Sequence, residues 1–239
     1  MFTSLPFSTP ISRAFGKFTV CLERTVAAAA ITGAALLVAQ PAVAQDVWIT
    51  PEKPFVEFDN GREFIVIERD QNPDSTIPEF FSQTSRQCPP FCIQPMDAGP
   101  GVTTIGELEV LEFMEEYVTA GRGAIIDARL REWYDRGTIP GAVNLAFTTF
   151  ENPDTNPFMS PVLTLLGGVE DTATGWDFSN ALDLVVFCNG IWCGQSHRAI
   201  SNLLDVGYPG EKIRYYRGGM QGWLSVGLTV ETPTTVPTQ

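Results

Sequence analysis

Leu184-Val185-Val186-Phe187-Cys188-Asn189-Gly190-Ile191-Trp192-Cys193-Gly194-Gln195-Ser196 is the stretch whose reading decides the fold. It opens with four apolar residues, a strongly apolar strand of the kind buried inside an α/β sheet. From about Ser196 to Val206 the apolar positions Ala199, Ile200, Leu203 and Leu204 repeat at helical spacing, so a helix follows. Between strand and helix lies a glycine-containing loop that begins with Cys188. In open α/β sheets ligands gather beyond the carboxyl ends of the strands, so this loop is the first place to look for chemistry.

Working outward, Ala124-Ile125-Ile126-Asp127, Ala142 to Phe147 and Ile213-Arg214-Tyr215-Tyr216 read as further short strands. Helices are expected after Thr104, over Arg129 to Arg136, around Val162 to Leu166 and from Gly222-Trp223 to Val226. Ile105, Leu108, Leu111, Met114 and Tyr117 fall near helical spacing, and Thr104 with Glu107 makes a capping box. Gly121 and Gly123 end that helix. Strands alternating with helices imply a parallel sheet. Upstream, Phe55-Val56-Glu57-Phe58 and Phe64-Ile65-Val66-Ile67 flank Asp59-Asn60-Gly61, and Asn-Gly favours a tight hairpin turn. Residues 70–101 are proline-rich. They also carry Phe80, Phe81, Phe91 and Ile93, which a solvated linker does not need, so the segment is expected to pack on the main domain.

The beginning of the chain reads as a targeting segment. Arg13, Lys17 and Arg24 precede an uncharged run from Thr25 to Ala39, and Pro41-Ala42-Val43-Ala44 supplies small residues for a cut after Ala44. The run is shorter than the roughly 20 residues of a spanning helix. Residues 1–44 are therefore expected to be a signal peptide, leaving an exported, periplasmic protein with no membrane association. The expected plan is an N-terminal extension over 45–101, the main domain over 102–232 and a tail over 233–239. The 239-residue chain has a net charge of −13, and removing three bases and one acid (Glu23) with the leader leaves −15. Such an acidic chain repels phosphate backbones, which argues against nucleic acid as a partner.

Cys21 leaves with the leader, so four cysteines remain, Cys88, Cys92, Cys188 and Cys193, in C-x3-C and C-x4-C pairs. Export permits disulfides, and four cysteines allow three full pairings. The stiff Cys88-Pro89-Pro90-Phe91-Cys92 segment suits a short structural bridge. A second redox pair or a shared metal site are the competing readings, although C-x3-C is not a usual zinc spacing, and no metal or cofactor is expected. Cys188 closes a strand just before a helix. Loop and helix N–H groups there can converge on one anion, lowering the thiol pKa and cradling a persulfide or a small sulfur oxyanion. A buried structural cysteine, or a Cys188–Cys193 bridge that ties the loop, are the alternatives. Asp127 and Arg129 end a strand near the same face, either supporting the loop or forming a structural salt bridge. His197 is expected at a solvated helix position. No separately oriented base accompanies it and Ser196, so a Ser-His-Asp hydrolase finds no support.

Four blocks now carry a resemblance: Ile126-Asp127-Ala128-Arg129, Gly137-Thr138-Ile139-Pro140-Gly141-Ala142-Val143-Asn144, Val185-Val186-Phe187-Cys188 and Tyr216-Arg217-Gly218-Gly219-Met220-Gln221-Gly222-Trp223. In order and spacing they resemble the rhodanese homology domain, over about Thr103 to Thr232. The resemblance implies an α/β fold, a rhodanese-like parallel sheet flanked by helices; it does not cover Gln45 to Gly101, where the hairpin and loop segment form a small N-terminal extension. It implies a sulfurtransferase that carries sulfane sulfur as a persulfide on catalytic Cys188. The active-site loop is then Asn189, Gly190, Ile191, Trp192, Cys193, Gly194, Gln195 and Ser196. Partners would be a small sulfur donor and a thiol acceptor, or a protein persulfide.

The chain departs from the family at several points. Thr138 stands where the family usually has histidine. The loop is longer than usual and has no arginine between Cys188 and Ser196, the nearest being Arg198. This puts thiosulfate in doubt as donor. Cys193 is placed either to attack a persulfide or sulfenate on Cys188 or to bridge it. A thiol-disulfide redox protein using Cys188 and Cys193 is thus one rival. Trp192-Cys193-Gly194 looks locally like a thioredoxin site, but Ser196 stands where the second cysteine belongs. A phosphatase of the same architecture needs an arginine where Gly194 stands. A non-catalytic binding module with the same fold is the remaining rival.

Overall fold

The protein is described by a computed structural model covering residues 46–152, 155–171 and 175–233. The expected leader (1–44, with Cys21) and all but the first residue of the expected tail lie outside the described residues. No helix among the described residues is long and apolar enough to cross a membrane.

In chain order the elements are β1 (Phe55–Asp59), β2 (Phe64–Glu68), α1 (Glu79–Ser82), β3 (Thr103–Ile105), α2 (Glu107–Phe113), β4 (Gly123–Asp127), α3 (Arg131–Tyr134) and β5 (Val143–Asn144). They continue as α4 (Met159–Leu165), β6 (Val169–Asp171), β7 (Gly175–Asp177), β8 (Asp183–Phe187), α5 (Gln195–Asp205), β9 (Ile213–Tyr216) and α6 (Gly219–Ser225). One sheet organises the domain. It has five strands in the order β3-β9-β8-β4-β5, all parallel, with β8 at the centre.

The apolar run of β8 follows from that central place. Leu184 and Val186 face one core with Ala199, Ile200 and Leu203 of α5 and Leu163 of α4. Val185 and Phe187 face the other, with Val110 and Leu111 of α2 and Met220 and Trp223 of α6. A strand buried on both faces cannot alternate with polar residues, and all four of these side chains are fully buried. At roughly 1.5–3 kcal/mol for each such side chain, this strand is a principal source of stability.

The hairpin forms as expected, with β1 antiparallel to β2 and Gly61 at φ +81° in the turn. Val56, Phe58 and Ile67 of the hairpin, with Phe81 of α1, enter the second core, so the extension packs on the sheet.

Several expected boundaries shift. Thr104 is not a helix cap but lies in β3, an edge strand paired with β9. Three residues are too few to show strand alternation. The cap is displaced to Gly106, whose N–H donates to Glu109 Oε2 at 2.9 Å. The expected strand over 142–147 is only Val143–Asn144, because the chain turns into a 3₁₀ segment, Phe147–Phe150. The helix expected over 129–136 shrinks to α3, since Arg129 is tied back to Asp127. The helix expected over 162–166 runs Met159–Leu165 instead, and the antiparallel β6–β7 pair follows it. The closing helix starts earlier than Gly222, at Gly219.

Candidate active site

Cys188 directly follows β8 and α5 begins at Gln195, so the loop spans the end of the central strand and the first turn of a helix. The Cys188 side chain is 2% exposed. Its sulfur lies 3.0 Å from Ser196 Oγ. When protonated, the thiol donates to the Cys193 carbonyl at 3.1 Å.

Burial alone raises this thiol. Against it stand hydrogen bonds from the Cys193 thiol, the Ser196 hydroxyl and the backbone N–H groups of Ser196 and Gly190. The donors prevail, and the pKa falls from 9.0 to about 7. Cys193 moves the other way, driven first by its hydrogen bond to Cys188, then by burial, then by the Cys188 charge. The pair thus diverges, with Cys188 the more acidic thiol and Cys193 the one held protonated. Both are free and buried, so the bridge weighed above between them is not formed here. Cys88 and Cys92 lie with their sulfurs in bonding range and their Cα atoms 4.6 Å apart.

The neighbouring turn holds the loop's shape. Met220 and Gln221, in the first turn of α6, donate their N–H groups to the carbonyls of Cys188 (3.0 Å) and Asn189 (2.9 Å). Gly219 sits at φ +54°, and a Cβ there would stand 2.4 Å from the Cys188 carbonyl oxygen. Only glycine allows this approach. The Gln221 side chain accepts from Trp192 Nε1 at 2.9 Å and donates to the Phe81 carbonyl at 2.7 Å. One amide thereby links loop, helix and N-terminal segment.

Asp127 and Arg129 come together at the end of β4. They form a fully buried pair, with Arg129 Nε 2.9 Å and Nη2 2.5 Å from the carboxylate. Thr138 donates its hydroxyl to Asp127 at 2.8 Å. Arg129 also reaches the loop, where Nη1 donates to Asn189 Oδ1 at 3.3 Å. Gln195 accepts from the Cys193 thiol at 3.7 Å, Gly194 caps α5, and Ile191 is 40% exposed at the rim.

His197 is corrected. Its ring packs edge-on against Tyr215 at 4.7 Å, and both nitrogens are buried. Burial, the largest effect, lowers its pKa, so the ring is a neutral packing element and not a solvated one.

Sequence reasoning missed the aromatic ring cluster above the loop. Phe80 packs on Trp133 (4.3 Å) and Trp192 (5.7 Å), and Phe91 packs on Trp192 (5.3 Å). The Arg86 guanidinium stacks on Phe80, Phe91 and Trp192. The backbone strap continues at Gln94, whose N–H donates to the Ile191 carbonyl at 2.8 Å and whose carbonyl accepts from Arg217 at 2.8 Å. Only the abundance of aromatic residues between 80 and 92 signalled this contact.

The five-stranded parallel sheet, with a buried cysteine directly after its central strand, defines an α/β domain of the rhodanese-like fold. The family model of the rhodanese-like domain matches residues 109–226, and the chain carries a rhodanese-like domain there. No curated protein matches the chain. Solved structures similar to it include the human single-domain sulfurtransferase, 26% identical over 51% of this chain and 95% of that one, with a TM-score of 0.35. Another is a Rhodopseudomonas palustris protein of unknown function described as a possible tyrosine phosphatase, 20% identical over 56% and 88%, TM-score 0.40. A third is a rhodanese-related protein from Thermoplasma volcanium, 16% identical over 55% and 99%, TM-score 0.35.

Proposed function

We propose that the protein is a sulfur carrier that holds sulfane sulfur as a persulfide on Cys188 and passes it to a thiol acceptor. The observation that carries this reading is the place of Cys188, buried at the end of the central strand with its sulfur 3.0 Å from the Ser196 hydroxyl at the start of α5; hydrogen-bond donors around it draw the thiol below its ordinary value. In the loading step the Cys188 thiolate attacks the sulfane sulfur of the donor. A Cys188–sulfur bond forms, the donor's S–S bond breaks, and the electron pair leaves with the donor fragment. In the unloading step an acceptor thiolate attacks the outer sulfur and Cys188 leaves as thiolate. Neither step needs an oxidant or a cofactor. Asp127 and Arg129 hold the loop from below, and Cys88–Cys92 bridges the strap above it. This chemistry is assigned to an exported, periplasmic protein.

A second reading is favoured by one observation, the close approach of two free cysteines, with the Cys188 thiol 3.1 Å from the Cys193 carbonyl. Attack by Cys193 on the inner sulfur of the persulfide would close a Cys188–Cys193 disulfide and release hydrosulfide.

Intact mass before and after a polysulfide or thiosulfate donor, and again after reductant, tests the proposal. A reducible gain of one sulfur atom, mapped to Cys188 and absent from Cys188→Ser, is expected. An unchanged mass would sink it. Loss of two hydrogens after loading, abolished in Cys193→Ser, would establish the second reading.

A further inference from the structure

A cavity of about 390 Å³ opens beside the loop, and the loop cysteine among its lining residues is Cys193, not Cys188. Phe80 and Phe91 of the strap, Trp133, Phe147 and Trp192 supply its aromatic walls. Among the described residues one cation lines it, Arg198, and that guanidinium is already paired with Glu151 and stacked on Phe147. Arg86 is off the wall, stacked on the rings and donating to the Phe80 carbonyl. Arg129 is buried with Asp127. An anion such as thiosulfate entering here would lose hydration and meet no disengaged cation. A flat apolar group would instead gain ring contacts.

We propose that this cavity seats the acceptor, and that the acceptor class is a thiol bearing an uncharged, flat apolar group. This rests on the sulfur-carrier reading above. A persulfide lengthens the buried Cys188 side chain by one S–S bond, about 2 Å, and the Cys188 sulfur already touches the carbonyl of Cys193, a lining residue of the cavity, at 3.1 Å. The seated thiol loses its proton to water and attacks the outer sulfur. An S–S bond forms on the acceptor, the bond from that sulfur to Cys188 breaks, and Cys188 recovers the electron pair as thiolate.

The test uses two probes. Benzyl methyl sulfide, an unreactive thioether, is titrated into the protein while indole Nε1–H resonances are followed. Trp133 and Trp192 are expected to shift with a saturating curve while Trp223, in the core, stays still. Trp133→Ala and the volume-sparing Phe91→Leu are expected to weaken binding, the former by about tenfold. Protein loaded from polysulfide is then offered benzyl mercaptan or 2-mercaptoethanesulfonate. Transfer to the benzyl thiol is expected to be about tenfold faster, with the preference lost in Trp133→Ala. Absent indole shifts, or equal transfer to both thiols, would overturn the inference. Indole shifts in a protein whose Cys188 takes up no sulfur would keep the cavity as a binding site for flat apolar molecules and reject the sulfur-carrier reading.

Discussion

The Ser196 hydroxyl lies 3.0 Å from the Cys188 sulfur, joining the first turn of α5 to the end of β8. It is one of the donors that bring the thiol to about 7. Ser196→Ala is expected to raise the midpoint of the far-ultraviolet thiolate absorbance by about one pH unit, the worth of one hydrogen bond to a charged group. The difference spectrum against Cys188→Ser assigns the signal. An unmoved midpoint would leave the N–H groups and Cys193 as the whole cause.

The same thiol links stability to pH. Its folded pKa, about 7, is below the unfolded 9.0, so between these values the unfolded chain binds the proton and the folded one does not. Its contribution is therefore fully present above about 9 and is lost as pH falls through about 7, up to about 3 kcal/mol. Cys193, shifted upward, works against the fold once the pH passes its unfolded value. Urea denaturation of the protein and Cys188→Ser at pH 7 and 9 is expected to show the gap between them widening with pH. A constant gap would contradict the lowered pKa.

Removing one partner of the Asp127–Arg129 pair leaves a charge stranded where neither side chain is solvated. Asp127→Ala is expected to cost about 3–5 kcal/mol in urea denaturation. A cost below about 1 kcal/mol would mean that Arg129 finds water or another acceptor.

Gln221 ties Trp192 to Phe81. Gln221→Ala is expected to speed amide hydrogen exchange over residues 189–194 while leaving β4, β8 and β9 protected. Uniform protection in the variant would show that the α6 N–H groups suffice to hold the loop.

How much of this was legible in the sequence depends on how each element is stabilised. β8 and α5 announced themselves because burial on two faces and on one face leave different periodicities. The Cys188 loop followed from its place between them. β3 was not legible, since three residues at a sheet edge take their conformation from Tyr216 and its neighbours and not from their own pattern. The same holds for the two-residue β5. Asp127 and Arg129 were visible as residues, but their burial and the reach to Asn189 depend on how the chain folds back. The aromatic wall was least legible. Phe80, Trp133 and Trp192 are far apart in sequence, and nothing local sets their ring geometry.

The loop contains no arginine of its own, and the guanidinium beneath it is cancelled by Asp127 inside the core. Its hold on a sulfur anion therefore comes from oriented dipoles, whose reach is a few ångströms. Dissolved ions screen charges across a Debye length of about 8 Å at physiological strength, and they have little purchase on contacts this short. Cys188 should thus keep its acidity in concentrated and dilute salt alike.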